Sequence, residues 1–277
     1  MANGGAAERW REEAEFFDGL AAQRANAVAP LDRRVIERYR GGGRLFPKEY
    51  YFSVMGDLRG KSVLDVGCGE GADALLLAAL GARVTAIDVS PKAIELGRNR
   101  ARATGLDDSI DFVCSPLETA RLRRGSFDIV CGDNVLHHML PVLDETMKLL
   151  ASWTKDDGRL VFMEPTNLNP TLRRIRFLVP VHTETTPGER PLEANDFRII
   201  SQHVGGLHLP GPADPVHPPE HGLRKRLVRK APARRSPLRA RLRAAQPAEG
   251  GDPRRHDGDS RDPRPRLRKT LPPAIRP

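Results

Sequence analysis

Apolar positions along this chain change their spacing from region to region. Between residues 58 and 203, short apolar runs at 62–66, 83–87, 110–114, 127–131 and 160–163 read as strands. The intervals between them carry helix-spaced apolar positions and end signals. The run at 74–80 is closed by Gly81, and Ser90-Pro91 offers an N-cap and an N1 proline to a helix ending near Gly105. Pro141 opens another helix with Val142, Leu143, Met147 and Leu150 on one side, and an Asp157-Gly158 turn feeds the fifth strand. Strands alternating with helices predict an α/β fold with a doubly wound, parallel sheet. Residues 1–57 read instead as a helical N-terminal cover. Trp10, Phe16, Phe17 and Leu20 lie among acids and arginines, and a second stripe occupies 31–39. Gly41-Gly42-Gly43 then breaks the chain before Tyr50-Tyr51-Phe52.

Residues 204–277 follow neither pattern. They contain no Phe, Trp or Tyr, hold 14 of the 24 prolines, and carry 18 Lys+Arg against 7 Asp+Glu. Such a composition buries too little apolar surface to offset chain entropy, so a disordered tail is expected. The tail also changes the meaning of the overall charge of +9. Without it the chain holds 27 basic and 29 acidic residues, so the part expected to fold is slightly acidic. That argues against a nucleic-acid partner for the folded part. Three cysteines without a CxxC pair exclude a disulfide framework or zinc ribbon, and no metal site is expected. No apolar run is long enough to span a bilayer and the N-terminus lacks an h-region, which makes a cytoplasmic location the expectation.

The chemistry concentrates in Val63-Leu64-Asp65-Val66-Gly67-Cys68-Gly69-Glu70-Gly71, a strand entering a glycine-rich turn before a helix. Glycines there let the backbone approach a nucleotide-type ligand where a Cβ would clash. Asp88, 21 residues after Gly67 at the end of the second strand, is placed to accept from ribose hydroxyls. A dinucleotide would bring a pyrophosphate to this turn, against Asp65 and Glu70. S-adenosylmethionine brings an ammonium and a sulfonium, which carboxylates favour.

Here the chain resembles the class I S-adenosylmethionine-dependent methyltransferases of the small-molecule type, over about residues 58–203. The matching stretches are VLDVGCGEG (63–71), VTAIDVS (84–90), GSFDIVCGDNVLHHM (125–139) and GRLVFMEP (158–165). The resemblance implies a Rossmann-like sheet and S-adenosyl-L-methionine as cofactor. It implies that Asp65, Gly67, Cys68, Gly69 and Gly71 surround the methionine part and that Asp88 and Val89 serve the ribose. Gly132 and Asp133 would line the pocket at the end of strand four. Pro116 stands where such proteins often carry an adenine-reading Asp, leaving Leu117 and Glu118 for that contact. The family's sheet usually closes with two further strands in an antiparallel hairpin. No strand pattern follows residue 203, so the last two strands are expected to be missing. A frameshift near residue 204 would account for the Arg/Pro-rich tail.

Methyl transfer needs an aligned acceptor and a group that removes its proton. His137, His138 and Glu164 fall at the strand ends where acceptors bind in open α/β sheets. Each has a plain alternative, since a His after a strand can cap or pack and Glu164 can bind a backbone amide. Asn167, Arg173, Arg174, Arg176 and His182 lie in an insertion that could help form an acceptor lid. Trp10, Phe16, Phe17, Tyr50, Tyr51 and Phe52 either wall the acceptor or pack the N-terminal helices. The expectation is methylation of a small molecule, first of a hydroxyl on a secondary metabolite, lipid or quinone, with N- or C-methylation close behind. Two rivals stand beside it. An NAD(P)-dependent oxidoreductase is disfavoured by Asp65 and by the absence of a Tyr-x-x-x-Lys pair after strand four. The other is an inactive or non-enzymatic protein with a nucleic-acid-binding tail.

Overall fold

The computed structural model describes residues 3–24, 28–40, 46–169, 190–209 and 223–230. Three helices come first: α1 (Asn3–Arg24), α2 (Arg33–Arg40) and α3 (Pro47–Ser53). The alternating region follows as β1 (Ser62–Val66), α4 (Ala72–Ala79), β2 (Arg83–Asp88), α5 (Pro91–Thr104), β3 (Ile110–Cys114) and β4 (Phe127–Asp133). It continues through α6 (Leu143–Trp153), β5 (Thr154–Pro165) and α7 (Ala194–Gln202). β1 pairs in parallel with β2 and β4, β2 with β3, and β4 with β5. The five parallel strands thus order as β3-β2-β1-β4-β5, with the chain reversing direction of travel at β1/β4. That switch point is where open α/β sheets bind ligands.

Local sequence explains the punctuation. Ser90 accepts from the Ala93 amide at 3.0 Å as the cap of α5, and Pro91 at N1 needs no hydrogen-bond partner for its nitrogen. Gly105 ends α5 in the left-handed region at φ 71°. Two apolar clusters fill the faces of the sheet. One joins Tyr51, Phe52, Val63, Leu77, Ala86 and Ile94, tying α3 onto the α4/α5 side. The other joins Leu64, Val130, Met147, Leu150, Trp153 and Phe162, with α6 and α7 over the opposite face. β5 starts earlier than its apolar run suggests. The Asp157-Gly158 step is absorbed as a register irregularity, with Phe127 opposite Thr154 but Ile129 opposite Arg159.

The expectation that the last two strands are missing is corrected by the structure. Val204–His208 (β6) and Leu223–Lys230 (β7) complete a seven-stranded sheet of order β3-β2-β1-β4-β5-β7-β6. β7 runs antiparallel to both β5 and β6, with Leu160 opposite Val228 and Leu207 also opposite Val228. The sequence argument sought aromatic or alternating side chains, whereas ladder pairing is made by backbone groups. Leu223–Lys230 contains neither Pro nor Gly, so each of its residues carries a donor and an acceptor, turned in alternation to β5 and β6. The expected disorder and frameshift concern residues 210–222 and 231–277 as well, and those lie outside the described residues.

Candidate active site

Each parallel strand delivers one element of the site at its carboxyl end. β1 ends at Asp65-Val66 and runs into the glycine turn. Gly67, Gly69 and Gly71 take positive φ values of 64°, 50° and 75°, which only glycine adopts without strain. At Gly67 a Cβ would come within 2.5 Å of Val135 Cγ2, so the turn and the segment after β4 touch through a missing side chain. At Gly69 nothing lies within 4 Å of the Cβ position, leaving bare backbone facing open space. The Gly67 and Cys68 amides donate to the Ile87 carbonyl at 2.9 and 3.1 Å, which locks the turn onto β2. Cys68 is buried, and burial pushes its thiol well above the ordinary value, as suits a filler rather than a nucleophile.

Asp88 ends β2. One carboxylate oxygen accepts from the Gly69 amide at 2.8 Å and the other from Ser90 at 2.9 Å. Burial raises its pKa and these amide bonds oppose the rise. Each oxygen keeps a second lone pair for a ligand hydroxyl. Val89, which follows it, accepts from Cys114 Sγ at 3.8 Å. After β3, Leu117 is buried in a 3-10 turn (Leu117–Thr119). Glu118, beside it, is held from the N-terminal helix: Arg9 Nη2 lies 2.5 Å and Trp10 Nε1 3.3 Å from its Oε1.

Those contacts belong to a larger arrangement that the sequence did not reveal. α1 crosses the loops after four consecutive sheet neighbours. Arg24 pairs with Glu70 of the glycine turn at 3.3 Å, and Asp18 accepts from Ser90 Oγ at 2.5 Å and the Lys92 amide at 3.0 Å. Phe17 meets the His138 ring edge-on at 5.6 Å between centroids. The charged positions Arg9, Asp18 and Arg24 of α1 are therefore matched to groups on the rim.

A buried charge cluster sits beneath the glycine turn. Asp65, 2 % exposed, faces Asp73 from the first turn of α4 and Asp133 at the end of β4. Lys48, on α3, places its Nζ 2.6 Å from Asp73 Oδ1 and 3.0 Å from Asp133 Oδ2. Burial pulls on the Lys48 ammonium, but Asp73 and Asp133 outweigh it and hold its proton more tightly than usual. Asp133 is pushed up to about 6 by burial, with Lys48 opposing, and Asp73 is also raised by burial. Asp65 is raised well above the usual carboxylate range, by burial first and then by Asp73. Its Oδ2 is buried with no hydrogen-bond partner. Lys48 and Asp73 went unnoticed in the sequence because neither belongs to a motif; only tertiary folding joins them.

β4 ends in Gly132 and Asp133, and Asn134 turns the chain at φ 57° while donating to Asp133 Oδ1 at 2.9 Å. Gly132 is packed, since a Cβ there would fall 2.9 Å from the Val66 carbonyl oxygen. Glu164 stands at the end of β5 and is fully buried. Oε1 accepts from the Val135 and Leu136 amides at 2.9 and 2.7 Å, and Oε2 lies 2.8 Å from His137 Nδ1. His138 stacks beside His137 with centroids 4.2 Å apart. Asn167 is tied to Leu192 and Glu193. Arg173, Arg174, Arg176 and His182 lie outside the described residues. Tyr51 and Phe52 are core, meeting at 5.4 Å between ring centroids, and Tyr50 is buried as well.

Comparison with known proteins places this geometry. A family model described as a methyltransferase domain matches residues 64–162, the span from β1 through β5 that carries these strand ends. The ubiquinone biosynthesis O-methyltransferase of Methylocella silvestris is 38% identical over 145 residues, 51% of this chain and 52% of that protein. The mitochondrial ubiquinone biosynthesis O-methyltransferase of Schizosaccharomyces pombe is 37% identical over 103 residues, 37% of either chain. The chain thus spans about half, or less, of the length of these curated relatives. Among solved structures, magnesium protoporphyrin IX methyltransferase of Synechocystis PCC 6803, with bound S-adenosylhomocysteine, aligns over 80% of this chain and 100% of its own. Its TM-score is 0.52 and its identity 19%, a likeness of fold. No described helix is long and apolar enough to cross a membrane.

Proposed function

We propose that this chain is an S-adenosylmethionine-dependent methyltransferase acting on a hydroxyl of a small molecule, of the quinone-precursor type named in its relatives. The observation that carries the cofactor reading is the orphaned, buried Oδ2 of Asp65, which ends the strand leading into the glycine turn. An amino-acid ligand brings the ammonium that such an acid lacks. Lys48 offers a cation for the ligand's carboxylate from the same cluster, and Asp88 offers lone pairs to ribose hydroxyls. A pyrophosphate in this place would meet Asp65, Asp73 and Asp133 together, which disfavours a dinucleotide. S-adenosylmethionine, when bound, supplies an electrophilic methyl group on a sulfonium.

The protein's part in the chemistry falls to the β4–β5 rim. Glu164 as a carboxylate can only accept, so His137 Nδ1 carries the hydrogen and Nε2 is the ring nitrogen with the lone pair. That tautomer suits removal of a proton from an acceptor hydroxyl. Glu164 acts through His137 and through the Val135 and Leu136 amides, as a positioning residue. Phe17 and α1 shield the same rim from water. Calorimetric titration of the full chain with S-adenosylmethionine and, separately, NADH tests the reading. Micromolar binding of the first alone supports it; binding of NADH alone overturns it.

A further inference from the structure

The cluster around Asp65 holds more acid than its cation can answer. From α3 it is faced by Lys48 and Tyr51, from α4 by Asp73, from β2 by Asp88, from the glycine turn by Cys68, and from β4 by Cys131 and Asp133. Asp88 is answered by two backbone amides. The Lys48 ammonium is shared between Asp73 and Asp133, at 2.6 and 3.0 Å. Asp65 receives neither, and its Oδ2 is buried without a donor. An ionised carboxylate in that position would bear the desolvation cost of a buried charge uncompensated, whereas the neutral acid avoids most of it.

We infer that Asp65 stores a proton in the ligand-free protein, and that the ammonium of an amino-acid-bearing cofactor displaces it, so that binding at this site releases a proton to solvent. The inference rests on the reading of the site as one for S-adenosylmethionine. In the exchange the Asp65 O–H bond breaks and its proton leaves to bulk water. The ligand ammonium keeps its own protons and donates one N–H to the new carboxylate. At Asp65 one proton leaves as one ammonium enters, so the charge of that pair is unchanged; the ligand's carboxylate adds its own charge beside Lys48. Burial, which raises Asp65 well above the ordinary range, acts in the same direction. The consequence is a cofactor affinity that rises with pH below the range in which an α-amino group itself deprotonates.

The test is calorimetric titration of the full chain with S-adenosylmethionine between pH 6.0 and 7.5, in phosphate and in Tris, whose ionisation enthalpies differ. About one proton released per ligand is expected, with Kd tightening by up to about tenfold per pH unit. Methylthioadenosine, which lacks the amino-acid part, is expected to bind without that release. Asp65→Asn is expected to bind S-adenosylmethionine more weakly, with no proton release and a flat pH dependence. PH-independent affinity with no buffer-dependent heat in the unsubstituted chain overturns the inference while leaving the cofactor reading in place. Proton release that persists in Asp65→Asn also overturns it, assigning the proton to another acid. Failure of the unsubstituted chain to bind S-adenosylmethionine at any of these pH values overturns the cofactor reading itself.

Discussion

Replacing Glu164 by Gln changes one charge and almost no volume, and its effects can be worked out from the three bonds the carboxylate makes. The amide oxygen of Gln can still accept from the Val135 and Leu136 amides, which now lie at 2.9 and 2.7 Å from Oε1. Hydrogen bonds to a charged acceptor contribute roughly 1 kcal/mol more than neutral ones. Two weakened bonds and the altered contact to His137 therefore cost about 2–4 kcal/mol, a large fraction of the roughly 5–15 kcal/mol available to a domain. Urea unfolding reads this as a lower midpoint with unchanged slope. The second effect is on chemistry. The Gln NH2 would face His137 Nδ1 and donate to it, moving the ring hydrogen to Nε2. A base in the wrong tautomer loses the contribution of general-base catalysis, about 10²–10⁴ in kcat. Cofactor Kd should change little, because the hydrogen bonds of Glu164 go to Val135, Leu136 and His137, none of which belongs to the Asp65 cluster. Methyl transfer under saturating cofactor, with Kd measured in parallel, separates the two effects. A variant with near-normal kcat would refute the assignment of His137 as the base held by Glu164.

Other consequences follow from single residues. His137→Ala should lower kcat by a similar factor, whereas His138→Ala, next to Phe17, should act mainly on acceptor KM; steady-state kinetics with varied acceptor distinguishes them. Lys48→Met removes the cation between Asp73 and Asp133 and should weaken cofactor binding by at least tenfold, read by titration at pH 7. Gly67→Ala combines a left-handed φ of 64° with a Cβ 2.5 Å from Val135 Cγ2. It should destabilise the fold by about 2–4 kcal/mol in chemical denaturation. Asp133 rises from its ordinary 3.8 to about 6 in the folded protein. A raised folded value stabilises below the unfolded one, and that stability is lost as pH climbs through about 6. The loss totals roughly 3 kcal/mol, most of it between pH 4 and 7. In Asp133→Asn that slope should be missing when unfolding free energy is followed across the same interval.

Much of this architecture was legible in the chain because it is written in local signals. Ser90-Pro91 and Gly105 bracket α5, and the Asp65 to Asp88 spacing marks β1, the glycine turn and β2. The positions of His137, His138 and Glu164 at strand ends could be read in the same way. What those residues bond to could not. Glu164 binds amides 28 and 29 residues earlier in the chain, a relation fixed by the β4–β5 pairing. Lys48 meets Asp133 across 85 residues, and Arg9 meets Glu118 across 109, with no pattern of residue types to announce either. The strand at Leu223–Lys230 escaped for a different reason: its residues are those of a solvated segment, and pairing with β5 runs through backbone groups common to every residue but proline.

The central claim is that this site moves a methyl group from S-adenosylmethionine to a hydroxyl. Incubation of the full chain with methyl-labelled S-adenosylmethionine and a panel of polyhydroxylated aromatic acceptors, followed by mass spectrometry of the products, tests it directly. The account predicts label in an O-methyl ether, with Asp65→Asn and Glu164→Gln each reducing its formation by about a hundredfold or more. Label on nitrogen or carbon would contradict the hydroxyl assignment, and reduction of an acceptor by NADH in place of any methyl transfer would contradict the account as a whole.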